Sequence, residues 1–111
     1  MALHSVTRET MALLEQVRAA VRELEPNAKV ILYGSRARGD AEPDSDWDLL
    51  ILVEGPVGRD REQAISHRLF CLELETDTVL STVVHSSDEW NSPIYRAMPF
   101  HENVTREGIQ L

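Results

Sequence analysis

Two short stretches of this chain hold residue types that do chemistry together. The first is Gly34-Ser35-Arg36-Ala37-Arg38-Gly39-Asp40, and the second is Ser45-Asp46-Trp47-Asp48-Leu49. The first follows the β-branched run Lys29-Val30-Ile31-Leu32-Tyr33, and a glycine at its end lets the backbone turn sharply with no Cβ in the way. A helix starting at or just after Ser35 would aim its leading N–H groups and the serine hydroxyl at an anion. Arg36 and Arg38 add forked donors suited to phosphate oxygens. In the second stretch Asp46 and Asp48 alternate at the start of an apolar run, and on a strand that spacing puts both side chains on one face. Two adjacent carboxylates repel each other unless a cation lies between them. A hard divalent ion such as magnesium relieves that repulsion, taking oxygen ligands and a substrate phosphate. A phosphate-holding loop beside a metal-holding strand end is equipment for phosphoryl or nucleotidyl transfer, where the catalyst positions groups and neutralises charge.

The elements that must position these residues can be traced along the chain. Met11, Leu14, Val17, Val21 and Leu24 recur at steps of three and four, which predicts a helix from about Ser5 to Leu24, stopped by Pro26 and Asn27. Residues 29–33 form a buried strand and 46–53 a second one, polar at its start and apolar at its end. Residues 59–74 suit a helix, and 77–85 a third strand. Ser86 with Glu89 is a capping-box pattern, Ser92-Pro93 a further helix start, Pro99 a break and Gly108 a stop. The order helix, strand, strand, helix, strand, helix predicts an α/β or α+β fold, a small mixed β-sheet flanked by helices. Trp47, between the two aspartates, should point into the core on the opposite face. Trp90, Tyr95, Met98 and Phe100 either complete the core or form a patch for a partner.

The motif resembles that of the DNA polymerase beta superfamily of nucleotidyltransferases: an apolar residue, Gly-Ser, a spacer of about ten residues, then Asp-x-Asp. In the fuller form, Gly-Ser-x-Ala-Arg-Gly followed by Ser-Asp-x-Asp-Leu, it is similar to the minimal nucleotidyltransferases of prokaryotes. The resemblance implies a nucleotidyltransferase fold over residues 1–111 as one domain, with ATP and Mg2+ as cofactors. It implies that Gly34 and Ser35 touch the triphosphate, with Arg36 a further phosphate contact and Arg38 a brace of the loop. It assigns Asp46 and Asp48 to magnesium and catalysis. It also implies an antitoxin that moves AMP from ATP to a tyrosine hydroxyl of a HEPN-family toxin partner.

One departure stands out. Active members carry a third carboxylate on the next strand, which helps bind metal and takes the proton from the attacking hydroxyl. Here Ser81 stands at about that position, and a serine hydroxyl is no base near neutral pH. Asp77 is the alternative third catalytic carboxylate, but it lies about 13 Å from Ser81 by strand rise and needs a displaced or bulged strand. The competing expectation is therefore a weak or inactive nucleotidyltransferase-fold module that neutralises its partner by binding.

Other motifs fall away. In the run from Asp44 to Asp48, Leu49 stands where a calcium loop needs glycine. The Gly34 loop lacks the Gly-Lys-Ser/Thr ending of a Walker loop. His4, His67, His85 and His101 show no zinc-ligand spacing, although His85 could approach the site from its strand end. Nineteen acidic against eleven basic residues give a formal charge of −8, which argues against direct nucleic-acid binding. The lone cysteine, Cys71, is expected to be a buried thiol in a cytoplasmic protein. No signal peptide or membrane-spanning run is evident. A transfer to a small molecule would need a larger substrate domain, and a homo- or hetero-oligomer remains open.

Overall fold

A computed structural model describes residues 8–111. Helix α1 runs Arg8–Leu24, strand β1 Lys29–Tyr33, helix α2 Ser35–Arg38 and strand β2 Trp47–Val53. Helix α3 (Arg59–Thr76) leads to strand β3 (Leu80–Ser86), then come three short helices, α4 (Ser87–Trp90), α5 (Pro93–Arg96) and α6 (Pro99–Glu107), and strand β4 (Ile109–Gln110). The strands form one mixed sheet in the order β3-β2-β1-β4, with β2 and β3 parallel and the other pairs antiparallel. The expected mixed sheet flanked by helices is therefore present. The expected start of the first helix at Ser5 lies outside the described residues.

The sheet is covered on both faces, which is why β1 and β2 read as nearly continuous apolar runs. On one face Val30, Leu32, Trp47, Leu49, Ile51, Val53, Leu80 and Val84 pack with α1 and α3. On the other, Ile31, Tyr33, Leu50, Leu52 and Val83 meet Trp90, Tyr95, Phe100 and Val104 from α4 to α6. The alternation places Trp47 in the first core and sends Asp48 to the opposite face, as expected. In α1 the buried stripe is Leu13, Leu14, Val17, Ala20 and Val21, while Met11 and Leu24 are exposed. The expected stripe was thus rotated by part of a turn. Bidentate pairing of Arg61 with Glu25 at 2.6 and 2.7 Å fastens the start of α3 to the end of α1.

Two features of the C-terminal third depart from the pattern. Proline at the first turn of α5 and of α6 divides the region into separate short helices. Ser86 Oγ caps α4 by accepting the Glu89 N–H at 3.0 Å, but the Glu89 carboxylate turns to His85 instead of closing the box. Trp90 is buried and Tyr95 and Phe100 pack against it, so the aromatic cluster completes the second core, with Met98 left exposed. Gly108 ends α6 by turning extended, and glycine suits the position because a Cβ there would stand 2.5 Å from Val104 O and 2.8 Å from Ile31 Cγ2. The chain then pairs along β1, and Leu111 N–H donates to Val30 O at 2.8 Å. Cys71 is half-buried, not buried, with its Sγ 3.8 Å from His67 Nε2. No helix among the described residues is long and apolar enough to cross a membrane.

Ile51 is fully buried in the middle of β2. Ile51→Ala should cost about 3 kcal/mol. A chemical-denaturation curve should show this as a lower midpoint with an unchanged slope.

Candidate active site

Strand β1 ends at Tyr33, and Gly34 makes the turn into α2 with φ of 77°. That left-handed value disfavours any residue with a Cβ. Space enforces the same choice, because a Cβ on Gly34 would overlap Asp48 Oδ2. The glycine thus lets the β2 carboxylate lie directly against the backbone of the turn. Gly39 closes α2 in a left-handed cap with φ of 86°, its N–H donating to Ser35 O. Ser35, the first residue of α2, is half-buried beside this turn.

The loop between α2 and β2 delivers Asp46 and Asp48. Arg36 donates from Nε and Nη2 to Ser45 O at 3.3 and 2.8 Å and from Nη2 to Pro43 O at 3.0 Å. Its guanidinium also lies 4.2 Å from the centroid of the Trp47 ring, a cation–π contact. Ser45 Oγ accepts the Glu42 N–H at 2.9 Å, and Trp47 N–H donates to Val79 O at 2.9 Å, which starts the β2–β3 ladder. Arg36 therefore staples the loop that carries the aspartates. Arg38, expected to brace the Gly34 loop, pairs through Nη1 with both oxygens of Glu107, at 3.1 and 3.2 Å, and through Nε with Asp40 at 3.2 Å.

Asp46 is exposed and Asp48 half-buried. Burial, reinforced by the negative charge of Asp46, holds the Asp48 carboxyl above the usual aspartate range, with Arg38 pulling weakly the other way. The two carboxylates are thus close enough to repel, and Asp48 adjoins Gly34. Tyr33, opposite Asp48 in the β1–β2 register, has its phenol pushed up by burial and by the same carboxylate. Tyr33 also packs edge-on to Phe100, with ring centroids 5.3 Å apart.

The third carboxylate can now be located against the ladder. Ser81 pairs with Asp48 in the parallel β2–β3 register and is exposed. Asp77 is not on the strand. It caps α3 in a left-handed conformation with φ of 55°, its N–H donating to Glu73 O. The strand expected from residue 77 begins at Leu80, whose N–H is held by Glu73 Oε2 at 2.7 Å. Among the described residues no three His, Cys, Asp or Glu side chains gather closely enough to hold a metal ion. His85 pairs with Leu52, four residues along β3 from Ser81, and its ring lies among Trp90 and Tyr95, away from Asp48.

The residues present fit a magnesium ion of limited protein ligation. Asp46 and Asp48 offer two hard oxygen ligands, neither of them in an ion pair among the described residues, and this ion commonly takes one or two carboxylates plus phosphates and water. Sequence reasoning missed Glu107, whose Oε1 accepts the Gly34 N–H at 3.3 Å. No local signal marks it, since 73 residues separate it from Gly34.

Known proteins resemble this chain in sequence and in fold. The profile of the nucleotidyltransferase domain family matches residues 14–108. A protein of Methanocaldococcus jannaschii, provisionally named a protein adenylyltransferase, is 38% identical over 80 residues, covering 72% of this chain and 73% of its own. A solved structure described provisionally as a minimal nucleotidyltransferase shares the fold with a TM-score of 0.58 and 26% identity, over 100% of this chain and 97% of its own. A crystal structure of a toxin–antitoxin with AMP-PNP superposes with a TM-score of 0.62 at 17% identity, over 94% of this chain and 72% of that one, a likeness of fold. This chain belongs to the nucleotidyltransferase domain family.

The raised Asp48 pKa has a consequence for stability. A carboxyl whose folded value lies above its unfolded value favours the fold fully below the unfolded value, and that contribution is lost as pH rises through the folded value. Asp48→Asn should therefore raise the Tm of the metal-free protein by a few degrees at pH 7. The difference should vanish below the ordinary aspartate value, near pH 3. Thermal melts of both proteins across pH check this.

Proposed function

We propose that this chain is a magnesium-dependent nucleotidyltransferase that moves AMP from ATP to a tyrosine hydroxyl of a HEPN-family toxin, and so acts as its antitoxin. The observation that carries this reading is the Asp48 carboxylate lying against the Gly34 turn with Asp46 beside it. Gly34 and Ser35 would take the triphosphate, and Asp46 and Asp48 would hold the ion. When bound, magnesium supplies charge neutralisation and orientation for the phosphates. The acceptor hydroxyl would release its proton to water as its oxygen attacks the α-phosphorus in line, forming the O–P bond as the bond to the pyrophosphate oxygen breaks. The relative named as a protein adenylyltransferase supports AMP transfer to protein. The toxin–antitoxin crystal structure with AMP-PNP supports the nucleotide and the partner class.

A specific observation favours a second reading. Ser81 stands across the ladder from Asp48 where a third carboxylate would complete the site, and Asp77 lies off the strand, at the α3 cap. With no base of its own there, the domain would neutralise its partner by binding, or transfer slowly with a base borrowed from the target. Arg36 is committed to its loop, so we assign it to positioning of Asp46 and Asp48 and not to direct contact with phosphate.

Labelled ATP, magnesium and the protein of the adjacent reading frame decide between the two. Transfer of label to that protein is expected, falling by on the order of a hundredfold in Asp46→Asn/Asp48→Asn. Ser81→Asp should raise the rate by at least about a hundredfold, because it places a base beside Asp48. No label transfer by either the native chain or Ser81→Asp, with neutralisation intact in the aspartate double variant, would establish the binding module instead.

A further inference from the structure

We propose that Glu107 is a positioning residue for the nucleotide loop, and that through it the site depends on the docked α6–β4 segment. This rests on the nucleotide reading above. Helix α2 has only four residues, and its four backbone bonds, from the N–H groups of Ala37, Arg38, Gly39 and Asp40, converge on just two carbonyls, those of Gly34 and Ser35. Gly34, its N-cap, has no side chain to cap it. One carboxylate makes up for both shortfalls. Glu107 Oε1 accepts the Gly34 N–H at 3.3 Å and Arg38 Nη1 at 3.1 Å, so it grips the first and last positions of the turn together.

The grip is firm because Glu107 is itself held. Its side chain is only 15% exposed, and it ends α6 just before Gly108. Gly108 is pressed against Val104 and Ile31, and the next two residues pair with β1, the same strand that leads into Gly34. The carboxylate is therefore fixed relative to the strand whose turn it braces. It also fixes Arg38. With Nη1 on Glu107 and Nε on Asp40, the guanidinium makes no ion pair with Asp48 among the described residues. Without Glu107, the Gly34 N–H loses its acceptor and Arg38 is released beside the metal ligands.

The test is AMP-PNP binding with magnesium by calorimetry, alongside amide hydrogen exchange of residues 34–40 and thermal melts. Glu107→Ala should weaken binding by tenfold or more, in the range seen for residues that orient ligand-holding groups. It should also speed exchange at Gly34 while leaving the helices protected and Tm nearly unchanged. Glu107→Gln keeps an acceptor for Gly34 but loses the charge facing Arg38, so it should retain Gly34 protection and bind with intermediate affinity. Native affinity and native Gly34 exchange in Glu107→Ala would overturn the proposal. Tighter binding in that variant would overturn it too, marking Glu107 as a competitor for the phosphate position. If the native chain itself binds no AMP-PNP, the nucleotide reading fails, and Gly34 exchange alone still decides whether Glu107 braces the loop.

Discussion

The structure turns on one close approach: the Asp48 carboxylate against the backbone of Gly34. It needs a glycine, both because φ is positive and because a Cβ would overlap the carboxylate. It brings a half-buried negative charge to the end of the sheet, with a second carboxylate two residues away. Burial and the neighbouring Asp46 charge both push the Asp48 carboxyl up, so its ionised form disfavours the fold. The rest of the fold serves this approach. The β1–β2 pair sets Asp48 opposite Tyr33, Arg36 clamps the intervening loop, and the two covered faces make the strands rigid enough to hold the register.

The site is built from weakly structured parts held by strong neighbours. Helix α2 and the loop to β2 have little ladder of their own. Each is fastened by a charged side chain acting on backbone groups or on another charge: Arg36 on the carbonyls of Ser45 and Pro43, and Glu107 on Gly34 and Arg38. This division fixes the Gly34 turn and the Asp46–Asp48 segment without an extended ladder at either. It also separates the two arginines of the motif by task. Arg36 organises the loop that carries Asp46 and Asp48, and Arg38 is neutralised by Glu107 beside the Gly34 turn.

How much of this could be read from residues alone depends on whether the controlling interaction is local. Strand β1 and the inward turn of Trp47 follow from alternation and were legible. The mixed sheet and the family followed from the motif and the order of elements. The start of β3 did not follow, because Thr76, Asp77 and Thr78 look like strand residues. The last helical turn continues to Thr76, and Glu73 then holds both the cap and the Leu80 amide. Strand β4 was illegible, since two residues carry no periodicity. The tasks of Arg36, Arg38 and Glu107 were equally hidden. Each depends on which backbone or charge the fold brings near, and the sequence distance between Glu107 and Gly34 erases any pattern.

The central claim is that Asp46 and Asp48 form a carboxylate pair awaiting a divalent cation beside the Gly34 turn. Carbon-detected NMR titration of the Asp48 carboxyl, with and without magnesium and AMP-PNP, tests it most directly. The account predicts titration above the usual aspartate range in the empty protein and a fall below that range once the ion and nucleotide are added. An Asp48 that titrates as an ordinary exposed carboxyl and is indifferent to both additions would contradict it.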